Sequence, residues 1–309
     1  MPTLKIGRRS IEVSNLAKVL FPKDKITKGD ILDYYERVAK YMVPHMKNHP
    51  ITMERFPNGI ADKGFYQKNI ADYFPKWIDY IPIKKQEDGV VKYAICNDAA
   101  TLMYLANQLC LTPHLWLSKV DDVNTPDRII FDFDPSSKTA VSSPTSFAGI
   151  KKAALLMKDL LEELGLTSYV MTTGSRGAHV VIPLKRKYDF DDVRAFARDV
   201  AQLLVDENPK LLTLEVRKAK RRGRIFVDYL RNAFGQTAVA PYAVRAKPGA
   251  PVATPITWQE LRSAGMHAQR FTIKNIFKRL STKKDPWHDI DKHAQSLATA
   301  RKKLNALKE

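Results

Sequence analysis

The sequence predicts an α+β fold in which mixed and antiparallel sheets are flanked by helices. The strand-like segments Ser168–Thr172 and His179–Leu184 are separated only by a short glycine-containing turn, so they must run antiparallel. Amphipathic helical patterns precede and follow this pair, at about Ser143–Gly165 and Asp189–Val205. An order of strand, helix, hairpin, helix and strand excludes a doubly wound parallel sheet.

The N-terminal part begins with a well-signalled helix. Thr27 can cap it, Asp30 follows three residues later, and apolar residues then recur at helical spacing as far as Met42. Turn signals and apolar patterns predict three further elements before residue 116: strands over Ile51–Phe56 and Val90–Cys96, and a short helix over Asp98–Cys110 with Asp98 as its N-cap.

The remaining elements lie beyond residue 127. Arg128–Asp134 is predicted to be a short apolar strand that ends in aspartates, and Ile225–Leu230 a further strand with one internal aspartate. Ala246–Pro255 is rich in proline and alanine and is expected to be an ordered surface loop. Arg301–Glu309 is expected to be a charged, frayed helical end.

Composition narrows the class of protein. The 309 residues are 44% hydrophobic and 27% charged, which is ordinary for a globular chain. No apolar run has transmembrane length and the first residues lack a signal-peptide pattern, so we expect a cytoplasmic protein without a membrane partner. The two cysteines are too few for a disulfide framework and are expected to be reduced and partly buried. The net charge of +18 favours a polyanionic partner, either nucleic acid or an anionic surface.

Three carboxylates are candidates for a metal site. Asp132 and Asp134 are two residues apart at the end of a strand, so both side chains lie on one face. Their repulsion is relieved by a divalent cation, and hard carboxylate oxygens suit Mg²⁺ or Mn²⁺. Asp228, inside an apolar strand, is a third candidate, and three acids on neighbouring strands could hold two ions. The Asp-x-Asp pattern alone is weak, because most of its occurrences are in solvated loops.

Several segments could bind phosphate or bases. The turn over Thr172–His179 combines two glycines with hydrogen-bond donors and could cradle phosphate, or it could be an ordinary hairpin turn. Arg217–Arg224 carries six positive residues in eight and could contact a phosphate backbone or form a solvated loop. Lysines at 18, 23, 25 and 28 surround the start of the first helix, where an anion is favoured. Phe65–Asn69 mixes aromatics with a lysine and could stack a base or belong to the core edge.

Together these segments resemble the LigD-type polymerase domains of bacterial DNA end joining, within the archaeo-eukaryotic primase superfamily. The matching motifs follow the order of that family from about residue 15 to residue 245. They are NLAKVLFP with a later TKGD, FYQKN, LTPH, DFDP, TTGSRGAHVVIPL, IFVDYLRN and PYAVR. The resemblance implies one polymerase domain over residues 1–309, with DNA 5′-phosphate and template binding in residues 1–115. Residues 116–309 would form a primase-like catalytic core with C-terminal helices.

The resemblance also implies residue roles. The catalytic metal ligands would be Asp132, Asp134 and Asp228. The triphosphate of the incoming nucleotide would be held by Thr173, Arg176, His179 and Arg245, with His114 and Arg231 lining the same pocket. A DNA 5′ phosphate would be bound by Asn15, Lys18 and Lys28. The template would be contacted by Arg55, Phe65 and Tyr66, and the primer terminus by Arg221 on a mobile loop. Glu54 departs from the family pattern, because a basic residue is common at that position.

The function implied by the resemblance is template-dependent nucleotidyl transfer in non-homologous end joining. The enzyme would extend primers and fill gaps with ribonucleoside or deoxyribonucleoside triphosphates, preferring ribonucleotides, and would use Mn²⁺ or Mg²⁺ in a two-metal site. Its partners would be DNA with 5′-phosphorylated gaps or ends, a Ku-like protein and a DNA ligase, which places it at the nucleoid. Two alternatives remain at this stage: a two-metal nuclease or phosphohydrolase, and a non-catalytic DNA-end-binding module.

Overall fold

The computed structural model describes residues 2–84, 89–136 and 144–308. Its strands, numbered along the chain, are Thr3–Ile6 (β1), Arg9–Glu12 (β2), Val19–Phe21 (β3), Ile26–Thr27 (β4), Pro50–Arg55 (β5), Phe65–Gln67 (β6), Tyr80–Lys84 (β7), Val90–Ile95 (β8), Cys110–Trp116 (β9), Ser118–Lys119 (β10), Asp122–Pro126 (β11), Arg128–Asp134 (β12), Tyr169–Thr172 (β13), Ala178–Pro183 (β14), Leu212–Thr213 (β15), Ile225–Asp228 (β16), Thr237–Val239 (β17) and Thr254–Ile256 (β18). Its α-helices are Lys28–Met46 (α1), Ala99–Asn107 (α2), Pro144–Glu163 (α3), Phe190–Glu207 (α4), Trp258–Arg262 (α5), Ile276–Leu280 (α6) and Ala298–Ala306 (α7).

These elements form two compact units that alternate along the chain. Unit 1 comprises Met1–Asp121, Thr237–Ala253 and Phe271–Thr282, and unit 2 comprises Asp122–Gln236, Thr254–Arg270 and Lys283–Glu309. Both contain sheet and helix, which confirms the α+β class. The functional division that the sequence suggests near residue 115 stays a prediction.

Unit 1 is built on an antiparallel sheet with the strand order β17-β9-β5-β8-β7, and β6 pairs with the far end of β5. Helix α1 begins with the predicted capping box, in which Thr27 and Asp30 each satisfy the other's backbone N–H. The buried hydroxyls of Tyr34 and Tyr35 donate to the carbonyls of Tyr242 and Leu111, respectively. These two hydrogen bonds attach α1 to strand β9 and to the segment Thr237–Ala253, where the chain returns to unit 1.

Unit 2 is built on a six-stranded sheet with the order β15-β16-β12-β14-β13-β18. The predicted antiparallel pair is confirmed as β13 and β14, while β15 runs parallel to β16. The buried apolar faces of α3 and α4 pack on one side of this sheet, against β12 and β14. The opposite side carries polar side chains, and this side holds the candidate site.

Three predicted boundaries are wrong. The helix predicted to reach Cys110 ends at Asn107, and Cys110 begins the buried strand β9. The strand predicted to reach Leu230 ends at Asp228, because the chain turns into a 3₁₀ helix over Leu230–Asn232. The segment predicted as a surface loop over residues 246–255 is buried from Ala250 onwards, since its backbone bonds to distant residues.

The other local predictions agree with the structure. Asp98 caps α2 as expected, Asp189 at the predicted start of α4 is its N-cap, and the C-terminal helix is present as α7. Ser143 and Glu309, at the ends of two predicted helices, lie outside the described residues. Both cysteines are free and fully buried, more deeply than expected. Among the helices of the described ranges, none is long and apolar enough to cross a bilayer.

Candidate functional site

The acidic side chains of unit 2 lie where three strands meet. Strand β12 places Asp132 on the polar face of the sheet, whereas Phe131 and Phe133 are fully buried on the other face. In the antiparallel register, Asp132 is paired with Asp228 of β16 on one side and with His179 of β14 on the other. Two carboxylates and an imidazole from three strands therefore occupy adjacent positions on one face.

A guanidinium group lies between the two paired carboxylates. Nε of Arg231 is 2.9 Å from Oδ2 of Asp132 and 3.6 Å from Oδ2 of Asp228, and Nε2 of His179 is 3.5 Å from the same Asp132 oxygen. Burial raises the pKa of Asp132, but His179 and Arg231 outweigh it and hold that pKa far below its usual range. Burial and the charge of Asp132 raise the pKa of Asp228. One carboxylate is thus firmly ionised, and the other experiences repulsion from it.

Asp134 is bonded to two further arginines. Its Oδ1 accepts from Arg176 at 2.8 Å and its Oδ2 from Arg221 at 3.2 Å. Arg221 is only 3% exposed, stacks at 4.2 Å on the ring of Phe226, and also donates to the carbonyl of Glu215 at 2.9 Å. The basic segment therefore turns this arginine inward, against the expectation of a residue on a mobile loop. A primer contact by Arg221 stays a prediction.

The carboxylates fit the expected divalent ion in chemical type. Asp132 and Asp228 offer hard oxygens of like charge, and a cationic group already lies between them. Nδ1 of His179 is buried and has no hydrogen-bond partner in the part of the chain that the structure describes, which is unusual outside functional sites. Within residues 2–84, 89–136 and 144–308, no three His, Cys, Asp or Glu side chains are arranged to hold an ion as they stand. Metal binding therefore stays a prediction.

The glycine turn between β13 and β14 is closed by its own threonine. The hydroxyl of Thr173 donates to the carbonyl of Gly177 at 3.1 Å and accepts from the N–H groups of Ser175 and Gly177. A Cβ at Gly177 would lie 2.0 Å from the carbonyl oxygen of Phe133, so only glycine fits. Gln269 donates to the carbonyl of Ser175 at 2.8 Å and fixes the tip of the turn.

Asn232 organises the other flank of the acidic cluster and was not predicted. Strand β16 ends at Asp228, two residues before it could pair with Ile130. The Asn232 side chain takes its place: Oδ1 accepts from the N–H of Ile130 at 2.8 Å, and Nδ2 donates to the Ile130 carbonyl at 2.8 Å. Nδ2 also donates to the carbonyl of Tyr229 at 2.8 Å. This buried amide holds the turn that carries Arg231, and its position in the IFVDYLRN motif was the available signal.

A compact basic site lies at the start of α1 in unit 1. The backbone N–H of Lys18 donates to the carbonyl of Asn15, and that of Lys28 to the carbonyl of Lys18. Lys28 is only 4% exposed, and burial together with the charge of Lys18 lowers its pKa. The structure thus brings together the three residues expected to bind a 5′ phosphate. Holding two ammonium groups close without a counter-charge is costly unless an anion is bound.

The predicted template residues form an exposed aromatic surface on β6. Phe65 is 46% exposed and Tyr66 is 60% exposed. The guanidinium of Arg55 lies 5.7 Å from the centre of the Phe65 ring and donates to Gln67 Oε1 at 2.6 Å. Open aromatic faces next to a fixed cation are typical of surfaces on which bases stack.

A second cluster lies on the neighbouring strands of unit 1. Oε2 of Glu54 on β5 is 3.2 Å from Nε2 of His114 on β9, and the ring of His114 meets Tyr66 edge to face at 5.5 Å. Burial raises the pKa of Glu54, but the hydrogen bond and charge of His114 and the charge of Arg245 outweigh it, so the pKa is lowered. Glu54 is therefore ionised at neutral pH beside two residues expected to hold phosphate.

The site residues thus fall into three groups. The polar face of unit 2 gathers Asp132, Asp134, Asp228, Thr173, Arg176, His179, Arg221 and Arg231. The start of α1 gathers Asn15, Lys18 and Lys28. The third group lies on β5, β6, β9 and the segment after β17 of unit 1, and it comprises Arg55, Phe65, Tyr66, His114 and Arg245, together with the unassigned Glu54.

Comparisons with known proteins agree on one family. The family described as "LigD, primase-polymerase domain" matches residues 27–287. The chain is 33% identical over 263 residues to the multifunctional non-homologous end joining protein LigD of Mycolicibacterium smegmatis, covering 84% of this chain and 34% of that protein. It is 31% identical over 286 residues to the bifunctional LigD of Bacillus subtilis, covering 92% and 45%, respectively. The chain therefore spans between about a third and a half of the length of these relatives.

The fold agrees with a solved structure at similar identity. The polymerase domain of Mycobacterium tuberculosis Ligase D, determined in complex with DNA, superposes with a TM-score of 0.84 at 30% identity. The alignment covers 92% of this chain and 99% of that domain. The chain is thus similar to that polymerase domain over 92% of its length.

Proposed function

The chain belongs to the LigD primase–polymerase domain family, and from this premise we propose that it extends nucleic-acid primers at DNA breaks and gaps in non-homologous end joining. The reaction is template-dependent transfer of a nucleotide to a 3′ hydroxyl, with ribonucleotides preferred over deoxyribonucleotides. The observation that carries the proposal is the cross-strand cluster of Asp132, Asp228 and His179, surrounded by arginines.

The carboxylates are proposed to bind the divalent ions. Asp132, Asp134 and Asp228 would hold Mn²⁺ or Mg²⁺, in place of the arginine contacts that they make in the structure. When bound, such ions lower the pKa of the attacking hydroxyl and neutralise charge on the phosphates. Asp132 is suited to this role because its low pKa keeps it ionised at every physiological pH.

The cationic residues are proposed to hold the triphosphate. Within unit 2, Arg176 and Arg231 supply fixed positive charge for phosphate oxygens and for the departing diphosphate. A phosphate contact by Arg245 of unit 1 stays an expectation from the family resemblance. His179 and His114 add imidazole donors. Thr173 contributes by closing the glycine turn with its hydroxyl, which fixes the backbone between the flanking residues Arg176 and His179 of the site.

The remaining groups of unit 1 are proposed to select the DNA. Asn15, Lys18 and Lys28 bind the 5′ phosphate at the far side of a gap. The buried Lys28 supports this because burial and the charge of Lys18 lower the pKa of its ammonium group, and a bound phosphate would offset both effects. Arg55, Phe65 and Tyr66 contact the template strand, and Arg221 meets the primer. A Ku-like end-binding protein and a DNA ligase are the partners that end joining requires.

The testing experiment is extension of a gapped, 5′-phosphorylated DNA primer with Mn²⁺ or Mg²⁺, comparing ribonucleoside and deoxyribonucleoside triphosphates. We expect template-matched addition that is faster with ribonucleotides and weaker without the 5′ phosphate. Asp132→Asn should abolish addition and leave DNA binding nearly unchanged. The exposed Asp33→Asn provides a matched control, which should extend normally.

The net charge of +18 favours a second candidate, a non-catalytic DNA-end-binding module. That function predicts tight binding that falls steeply with salt and no nucleotide addition with any metal. Nucleotide addition by the wild type that Asp132→Asn removes would exclude it. Metal-dependent cleavage without added nucleotide would instead identify a nuclease.

A further inference from the structure

Glu54 is a negative charge held among groups suited to bind anions. On β5 it is paired with Thr112 of β9 and, on the other side, with Tyr66 of β6. His114 lies two residues beyond Thr112 along β9 and is paired with Thr52. Its Oε2 lies 3.2 Å from His114 Nε2, and the two side chains are only 18% and 10% exposed. Such a pair is shielded from solvent, so its mutual attraction is stronger than that of a surface pair.

The carboxylate of Glu54 and a phosphate compete for the same donor. Both are anionic oxygen acceptors, and the Nε2 atom of His114 can serve only one acceptor at this distance. A phosphate that approached His114 or Arg245 would also meet the charge of Glu54, which the strand fixes in place. The net positive charge of this surface is therefore one unit lower than its basic residues alone would give.

We infer that Glu54 is a specificity-determining residue, whose carboxylate occupies His114 and weakens the binding of triphosphate on this face of unit 1. The inference rests on the proposed function, since it assigns His114 and Arg245 to the nucleotide. It predicts that this chain binds free nucleotide weakly for its number of basic residues. The cause is electrostatic, so the effect should depend on the phosphates and not on the nucleoside.

The test is calorimetric titration of the full chain with inorganic tripolyphosphate and, separately, with ATP, without DNA or metal. Glu54→Gln removes the charge and keeps the shape, and we expect it to bind both anions on the order of tenfold more tightly than wild type. Glu36→Gln, an exposed substitution on α1 with the same change in charge, should remain within about twofold of wild type.

A double-mutant cycle tests whether Glu54 acts through His114. In a His114→Phe background, which keeps a ring but removes the N–H, Glu54→Gln should give a much smaller gain, because the competed donor is already absent. An equal gain in both backgrounds would overturn the role of His114. Thermal denaturation of each variant establishes that the binding differences are not due to unfolding.

Three results would overturn the inference. Unchanged or weaker tripolyphosphate binding by Glu54→Gln would mean that Glu54 positions His114 to bind phosphate. A gain with ATP alone would mean that Glu54 contacts the nucleoside. If neither wild type nor Glu54→Gln binds tripolyphosphate or ATP, there is no anion site for Glu54 to weaken. Failure of the proposed function would give a different result. If Glu54→Gln binds tripolyphosphate more tightly but the wild type adds no nucleotide to gapped DNA, the inference is retained and the polymerase function is refuted.

Discussion

Replacement of Asn232 by alanine should both destabilise unit 2 and disable the acidic cluster. The side chain makes three hydrogen bonds of 2.8 Å to backbone groups, two of them to Ile130 in the central strand β12. Alanine cannot replace these partners, so the N–H and the carbonyl of Ile130 lose a buried hydrogen bond. Each of these two orphaned groups costs about 1–3 kcal/mol, which gives a total of roughly 2–6 kcal/mol in the free energy of unfolding.

The expected loss is measurable by thermal denaturation. At about 2–4 °C per kcal/mol, Asn232→Ala should lower Tm by roughly 4–24 °C. Asn305→Ala on the exposed face of α7 is the matched control and should change Tm by less than about 2 °C. Hydrogen exchange at the Ile130 amide provides a local readout, because exchange there should accelerate more than at amides of unit 1.

Activity should fall further than stability explains. Asn232 fixes the turn between Asp228 and the residues that follow it, and a displacement near 1 Å at a catalytic group costs on the order of 100-fold in rate. We therefore expect primer extension by the folded Asn232→Ala variant to fall at least tenfold at 20 °C, with DNA affinity retained. Asn232→Asp keeps one acceptor and should be intermediate in Tm. A Tm within 2 °C of wild type and normal Ile130 protection would refute the bracing role.

Three further predictions follow from the same kind of reasoning. Gly177→Ala should lower the Tm and abolish extension, because its Cβ would lie 2.0 Å from a backbone carbonyl; normal extension would contradict the close approach. Lys28→Met should raise the Tm at neutral pH while it removes the preference for a 5′ phosphate. Burial lowers the folded pKa of Lys28, so protonation opposes folding at neutral pH and this cost disappears only as the pH rises toward its unfolded pKa. A fall in Tm for Lys28→Met would show that the charge is compensated. Cys96 and Cys110 should resist alkylation in the native protein, because burial raises the pKa of both thiols, that of Cys110 to about 12. Mass spectrometry of iodoacetamide-treated protein tests this, and labelling before unfolding would be the contrary result.

Much of the fold could be predicted wherever local signals decide the structure. The capping box at Thr27 and the N-cap at Asp98 depend on residues within three positions of one another. The pair of strands around the glycine turn was also local, because a short connection leaves only the antiparallel arrangement. In these cases the residues that contact one another are also close together in the sequence.

The errors arose where distant contacts decide the structure. Residues 250–255 contain turn-forming types, yet backbone bonds from Val252 to Phe271 and from Tyr242 to Ala253 bury them. Strand β9 contains Pro113 although it lies between two other strands, and proline normally argues against a central strand. No local sequence pattern predicts the burial of residues 250–255 or the position of β9 between two strands.

The residue types of the site were predicted more completely than the contacts between those residues. Asp132 and Asp228 were identified as acids on strands, but their register against each other depends on two elements almost 100 residues apart. The pairing of Glu54 with His114 was invisible for the same reason, since it joins β5 to β9. Asn232 was overlooked although it lies in the IFVDYLRN motif, because its backbone partner Ile130 is 102 residues away in the sequence.

The alternation of the two units along the chain has a consequence for synthesis on the ribosome. The edge of β9 is covered by β17, which is translated about 120 residues later, after most of unit 2 has emerged. Until then the nascent N-terminal portion exposes unpaired backbone along a strand of apolar residues, which favours association with other chains. Maturation of unit 1 therefore has to wait for release of the later segments, and a fragment ending at residue 236 should aggregate where the full chain remains dispersed.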